Sequence, residues 1–120
     1  LRESCANAVG DMGAVPLMRG GEHLVTLPAV RAVAARTPGL RVVHIDAHAD
    51  MRDDYMGERL SHATVMRRVS EIVGESNVFH VGIRSGTREE FLAMRGGSLL
   101  SGDLGESGRW WTGSGGARYT

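Results

Sequence analysis

The β-type stretch Leu40 to Ile45 is preceded by Thr37-Pro38-Gly39 and runs directly into Asp46-Ala47-His48-Ala49-Asp50. Such a run, bounded by turn residues, predicts a buried strand. Its downstream end carries three metal-capable side chains at alternate positions. Strand side chains alternate between faces, so positions i, i+2 and i+4 project together, and two carboxylates and an imidazole are expected to converge on one small volume. Crowded carboxylates repel and raise each other's pKa. A divalent cation turns that repulsion into coordination.

The neighbouring segments set this strand in a repeating pattern. Leu1 to Val9 reads as a helix tail ended by Gly10-Asp11-Met12-Gly13, and a short strand is expected over Ala14 to Met18. Leu24 to Arg36 has amphipathic helical spacing, with Pro28 in its first turns, where proline is tolerated. After the Leu40 to Ile45 strand, a polar loop runs from Asp50 to His62 and a helix from Thr64 to Val73. A further strand is expected over Asn77 to Ile83, then a helix over Thr87 to Met94 with Glu89 and Glu90 near its start. Alternating strands and helices predict parallel βαβ units covered on both faces. From residue 95 to 120 glycine recurs at 96, 97, 102, 105, 108, 113, 115 and 116 among Ser, Arg, Trp110 and Trp111. That stretch reads as a Gly/Ser-rich tail that does not continue the domain.

Composition narrows the function classes. With 120 residues the chain is at most one domain. Its formal charge of zero gives no electrostatic reason to bind nucleic acid or a membrane surface. No apolar run approaches the length of a membrane span. Cys5 has no intrachain partner, which excludes an intrachain disulfide framework and fits a reducing compartment, so a cytoplasmic location is expected. All fourteen basic residues are arginine, read here as compositional bias.

Two further clusters add to the metal reading. Gly20-Gly21-Glu22-His23 lies at an expected strand-to-helix turn, where paired glycines let the backbone approach a site closely. Ligands of open α/β sheets collect at the carboxyl ends of the strands, and both His23 and the Asp46 to Asp50 run are expected there. Leu60-Ser61-His62-Ala63-Thr64 places a histidine where a polar loop enters a helix. His44 shares the face of Asp46 by parity, though a packed strand histidine is the simpler reading. His80 reads as structural, and Asp53, Asp54 and Glu58 as solvated loop acids.

In this order and spacing the three elements resemble the ureohydrolase family, the binuclear manganese enzymes that include arginase and agmatinase. GGEH looks like the family's first metal motif, DAHAD like its D-A-H-x-D signature, and SHAT like its S-H-G-T segment. The stretches Gly57 to His62 and Val81 to Gly86 look more specifically like bacterial agmatinase. The resemblance covers roughly Val9 to Leu92, and joint occurrence is far more specific than any one short motif.

The resemblance implies a three-layer α/β/α fold with a mainly parallel sheet, incomplete in this chain. Residues 1–94 would be part of the family domain, lacking its N-terminal and C-terminal portions. It further implies that His23 binds one Mn²⁺, His48 the other, that Asp46 bridges both, and that Asp50 joins the first ion's ligands. In the family a metal-bridged hydroxide attacks the guanidinium carbon, urea leaves with an amine, and His62 would help protonate that amine. The expected reaction is agmatine and water to putrescine and urea, a step of polyamine biosynthesis, with a small guanidino compound as partner and a homo-oligomer as the complete assembly.

Departures from the family are equally informative. The later S-x-D-x-D-x-x-D-P motif, which supplies two more metal carboxylates, is absent, and Asp103 and Glu106 read as solvated acids. The 120-residue chain alone is therefore expected to lack activity, and a non-catalytic metal-binding product is the alternative reading. Arginase-like members follow D-A-H-x-D with x-N, whose asparagine helps hold the substrate carboxylate; here Met51-Arg52 follows Asp50. Losing that asparagine favours agmatine over arginine, while Arg52 leaves guanidinobutyrate as a further candidate.

Overall fold

The computed structural model describes residues 2–96 and 98–100. Helix α1 (Arg2–Asp11) packs against α2 (Thr26–Ala34), which is entered through the short 3₁₀ turn His23–Val25. Arg36, just past α2, ties the two helices together. Its guanidinium donates to Asn7 Oδ1 at 2.8 Å and to the Asn7 carbonyl at 3.2 Å, and it pairs with Asp11. Pro28 falls in the first turn of α2, where the missing N–H costs no helical bond.

Three parallel strands follow: β1 (Val42–Ile45), β2 (Val78–Val81) and β3 (Ser98–Leu100), in that spatial order. Helix α3 (Val65–Val73) connects β1 to β2, and α4 (Arg88–Ala93) connects β2 to β3. The alternation expected from sequence is therefore present as two parallel crossovers. In the β1–β2 register Val42 faces Val78 and His44 faces His80. That face is covered: Leu27 of α2, Val65, Met66 and Val69 of α3, Val78, Ile83 and Met94 form one buried apolar cluster. Ala49 and Met51 join it, so the segment after β1 is anchored in the core rather than draped over it.

Two expectations are corrected. Ala14 to Met18 is not a strand; Val15 and Leu17 are 91% and 97% exposed. Pro16 in its centre removes a ladder donor, which disfavours pairing. The layered α/β fold is present in part: among the described residues the outer face of β1 is open, with Val43 and Ile45 62% and 78% exposed. Finally, Ser98–Leu100, inside the stretch read as a tail, pairs with β2. Three residues are too few to display a period. The remainder of that tail, residues 101–120, lies outside the described residues. No described helix is long and apolar enough to cross a membrane.

Candidate metal centre

Beyond Ile45 the regular strand ends, yet the chain stays clamped to the segment after β2. Asp46 N–H donates to the Val81 carbonyl at 3.1 Å, Ala49 N–H to Ser85 at 3.0 Å, and the Ala47 carbonyl accepts from Arg84 and Ser85 at 2.9 Å each. Gly82, at φ 80°, makes this approach feasible, since a Cβ there would stand 3.3 Å from the Asp46 carbonyl oxygen. From the other side Glu90, buried in α4, accepts from Met51 N–H at 3.1 Å and from Thr87 N–H at 2.7 Å, the latter as half of a capping box.

Asp50 completes the bend. Its backbone has φ 52°, a left-handed conformation that aspartate tolerates better than most residues. Its carbonyl accepts from Met66 N–H at 3.0 Å and Arg67 N–H at 3.3 Å, satisfying first-turn donors of α3 that the Thr64 side chain leaves uncapped. Its carboxylate Oδ2 lies 2.8 Å from His23 Nδ1. His23 reaches this point because Glu22 caps the 3₁₀ turn, accepting from Leu24 N–H at 2.9 Å.

These contacts gather His23, His44, Asp46 and Asp50 so that one ligand atom from each lies within 4.8 Å of the others. His23 stacks on His44, ring centroids 5.4 Å apart. His44 in turn shares an Nδ1 to Nδ1 hydrogen bond of 3.1 Å with His80, while its Nε2 is buried without a hydrogen-bond partner among the described residues, 3.7 Å from Asp46 Oδ2. Asp46 Oδ1 accepts from His48 N–H at 2.9 Å.

Protonation follows from these surroundings. The Asp50 bond raises the His23 pKa against an opposing effect of burial. Burial lowers His44, helped by the charge of His23, and pushes His80 down to about 4, with His44 adding to the effect. Burial works to raise Asp46 but is outweighed by its bonds to the His48 and Ala47 backbone and by His44, so its carboxyl lies below the usual range.

A cavity of about 510 Å³ opens over the cluster, lined among others by His23, Asp46, Asp50, Arg52, Tyr55 and Glu90. His48 and His62 also line it. His48 is 67% exposed and stands outside the four-residue group, its Nδ1 3.3 Å from Asp46 Oδ1. The strict i, i+2, i+4 alternation does not persist, because the strand ends at Ile45 and the chain bends at Asp50. His62 is exposed and meets the Tyr55 ring edge-on at 5.4 Å. Its turn is held by buried Thr64, whose hydroxyl donates to the Arg59 carbonyl at 2.9 Å and accepts from Ser61 N–H at 2.9 Å. The Arg52 Nε sits 3.6 Å from Glu90 Oε2, and its guanidinium lies 5.3 Å from the Tyr55 ring centroid.

Of the residues singled out in the sequence the structure brings His23, Asp46 and Asp50 together, and it sets three others beside them: His44, Glu90 and Tyr55. His44 carried the signal of shared parity with Asp46. Glu90 carried the Thr-x-x-Glu capping pattern. Tyr55 carried no local signal.

Comparison with known proteins fits this geometry. The family profile "Arginase family" matches residues 1–100. An agmatinase of Bacillus anthracis is 51% identical over 81 residues, 68% of this chain and 28% of that protein. An agmatinase of Bacillus subtilis is 45% identical over 89 residues, 74% of this chain and 31% of that protein. The crystal structure of the agmatine ureohydrolase of Thermoplasma volcanium superposes with a TM-score of 0.72 at 43% identity, covering 83% of this chain and 34% of that one. The chain therefore spans about a third of the length of these relatives. With the profile, the parallel α/β fold and the D-A-H-x-D segment at a strand end in agreement, the chain belongs to the arginase family.

Proposed function

We propose that the whole protein hydrolyses a guanidino group, taking agmatine and water to putrescine and urea, at a centre completed by two Mn²⁺ ions. The observation that carries this reading is the convergence of His23 with Asp46 and Asp50, from two segments, beneath a cavity that His48 and His62 also line. The donor set fits the ions. Mixed imidazole and carboxylate ligands suit Mn²⁺, and His44 Nε2 leaves buried polar capacity in the cluster that no described group uses.

On this reading His23, Asp46, His48 and Asp50 would hold the ions. Bound there, the ions supply the charge that makes water nucleophilic near neutral pH. The chain's own groups do the rest. His62, exposed at the rim against Tyr55, delivers a proton to the departing amine, an imidazole being matched to that transfer near neutrality. Glu90 fixes the floor through Met51, which keeps the Asp46 to Asp50 carboxylates aimed inward.

Agmatine is preferred for two reasons. Met51-Arg52 replaces the asparagine with which arginase-like members hold a carboxylate. Arg52 is already engaged by Glu90 and Tyr55, so its charge is balanced within the protein. The two Bacillus relatives named agmatinase support the same choice. A second reading, guanidinobutyrate, rests on Arg52 lining the cavity, where it could anchor a carboxylate.

A cytoplasmic homo-oligomer serving polyamine biosynthesis is the proposed setting. The 120-residue chain alone, without the S-x-D-x-D-x-x-D-P carboxylates, binds metal without turnover on this reading. Urea release by the Mn²⁺-loaded whole protein, compared across agmatine, guanidinobutyrate and arginine, tests the assignment. Agmatine should exceed arginine by roughly ten- to a hundredfold in kcat/KM, the effect of one lost donor to a substrate carboxylate. Equal or faster turnover of arginine rejects it. A preference for guanidinobutyrate transfers the assignment to the Arg52-anchored substrate.

A further inference from the structure

His44 presents a chemistry that its place in a strand interior does not explain. A neutral imidazole has one N–H donor and one lone-pair acceptor. In His44 one ring nitrogen, Nδ1, is engaged by His80 Nδ1 at 3.1 Å. The other, Nε2, is buried with no hydrogen-bond partner among the described residues and sits in the cluster with His23, Asp46 and Asp50. At 3.7 Å from Asp46 Oδ2 it is too far for a hydrogen bond but close enough to share a common ligand. Buried polar atoms without partners are rare, and each calls for an unseen partner or an unusual function.

The His44–His80 pair supplies the arrangement that metal-binding histidines use. A ligating imidazole generally donates its second N–H to a fixed acceptor, which sets the tautomer and orients the ring. If His44 Nδ1–H donates to His80 Nδ1, the lone pair of His44 falls on Nε2, facing the carboxylates. His80 is almost fully buried behind His44, in register on the neighbouring strand, and the two rings meet edge-on at 5.3 Å.

We infer that His44 is a direct donor, with His23, Asp46 and Asp50, of a single-ion site that forms without His48, and that His80 is the positioning residue behind it. This rests on the metal-dependent reading above and goes beyond its ligand set. Two imidazoles and two carboxylates form a donor set suited to a first-row divalent ion such as Zn²⁺. All four come from this chain, so the site requires none of the carboxylates of the missing motif. His80 touches no donor other than His44 in this scheme and acts through its orientation.

The test uses the full 120-residue chain labelled with ¹⁵N-histidine and titrated with Zn²⁺. In the double variant His48→Ala/His62→Ala, which alters two exposed side chains, His23, His44 and His80 remain. The unprotonated ring nitrogens of two histidines should shift on adding one equivalent of Zn²⁺, while the third histidine keeps its tautomer. A response from one histidine overturns the role of His44 and leaves the metal centre standing with His23. No response in the double variant overturns this inference, and no response in the unsubstituted chain as well overturns the metal-dependent reading with it. Calorimetric titration of His44→Gln should show at least a tenfold loss of Zn²⁺ affinity, and unchanged affinity in a folded variant overturns the assignment. Should His44→Gln fail to fold, the histidine count in the double variant decides alone.

Discussion

The cavity has an inner wall and an outer rim built on different physical terms. The wall presents His23, Asp46 and Asp50 to the cavity with His44 and His80 behind them, is drawn from three segments, and is tied by side-chain bonds from His23 to Asp50 and from His44 to His80. The rim consists of His48, Tyr55 and His62, carried on the long loop after β1 and on its bend, with both histidines exposed. Residues two apart in one motif, Asp46 and His48, thus fall on opposite sides of this division. The difference teaches that a motif specifies chemistry, whereas burial decides which of its members are coupled to folding. Wall residues should alter stability and ion binding together, and rim residues should leave stability almost untouched.

The largest expected effect comes from undermining the wall. Glu90→Ala removes the acceptor for two backbone N–H groups, those of Met51 and Thr87, and the carboxylate facing Arg52. Leaving those groups unpaired should cost about 3 to 5 kcal/mol in denaturant unfolding. Glu90→Gln keeps one of the two acceptor oxygens, leaves one N–H unpaired, and should cost about 1 to 3 kcal/mol. Equal costs for the two variants would mean that Glu90 is not what holds the wall in place.

Acid should act on the wall next. His80 has its folded pKa lowered to about 4 by burial, against an ordinary value of 6.5. Above pH 6.5 the ring is neutral in both states, and its contribution to stability is complete. Between 6.5 and 4 the unfolded chain binds a proton that the folded chain refuses, so stability falls as pH falls, by up to roughly 3 kcal/mol. His23, whose pKa is raised by Asp50, works oppositely: its contribution is present below 6.5 and is lost as pH rises through its folded pKa. Urea midpoints measured from pH 4 to 8 should therefore drop on the acid side, and His80→Phe should flatten that drop. A midpoint that rises toward pH 4 would contradict the assignment of His80 as a buried neutral ring.

The smallest effect belongs to the rim. His48→Ala and His62→Ala should each change unfolding free energy by no more than about 0.5 kcal/mol, as exposed substitutions do. A loss above about 2 kcal/mol for either would erase the distinction between rim and wall.

The same division explains what could be read in advance. The βαβ alternation was legible because α2, α3 and α4 keep helical spacing and β1 is flanked by Thr37-Pro38-Gly39. The strand expected over Ala14 to Met18 was misread because apolar content says nothing about whether a pairing partner exists, and Pro16 argued against one. That His23, Asp46 and Asp50 come together was legible from motif and spacing. The pairing of His44 with His80 was not, since it depends on the β1–β2 register, and register is a property of two strands 36 residues apart in sequence. Glu90 escaped notice for a related reason. Its capping box was visible, but its bond to Met51 depends on how α4 docks.

The bend at Asp50 joins two requirements in one codon. Its φ of 52° is accessible at low cost to glycine, and next to asparagine and aspartate, and its carboxylate meets His23. Asparagine keeps the bend while discarding the charge, and glycine keeps the bend while discarding the side chain. β-branched residues keep neither. A saturation library at this codon, sorted for folding, should retain Gly, Asn and Asp. Sorted for ion retention, it should retain Asp alone. The gap between those two surviving sets measures how much of this position answers to backbone shape and how much to chemistry.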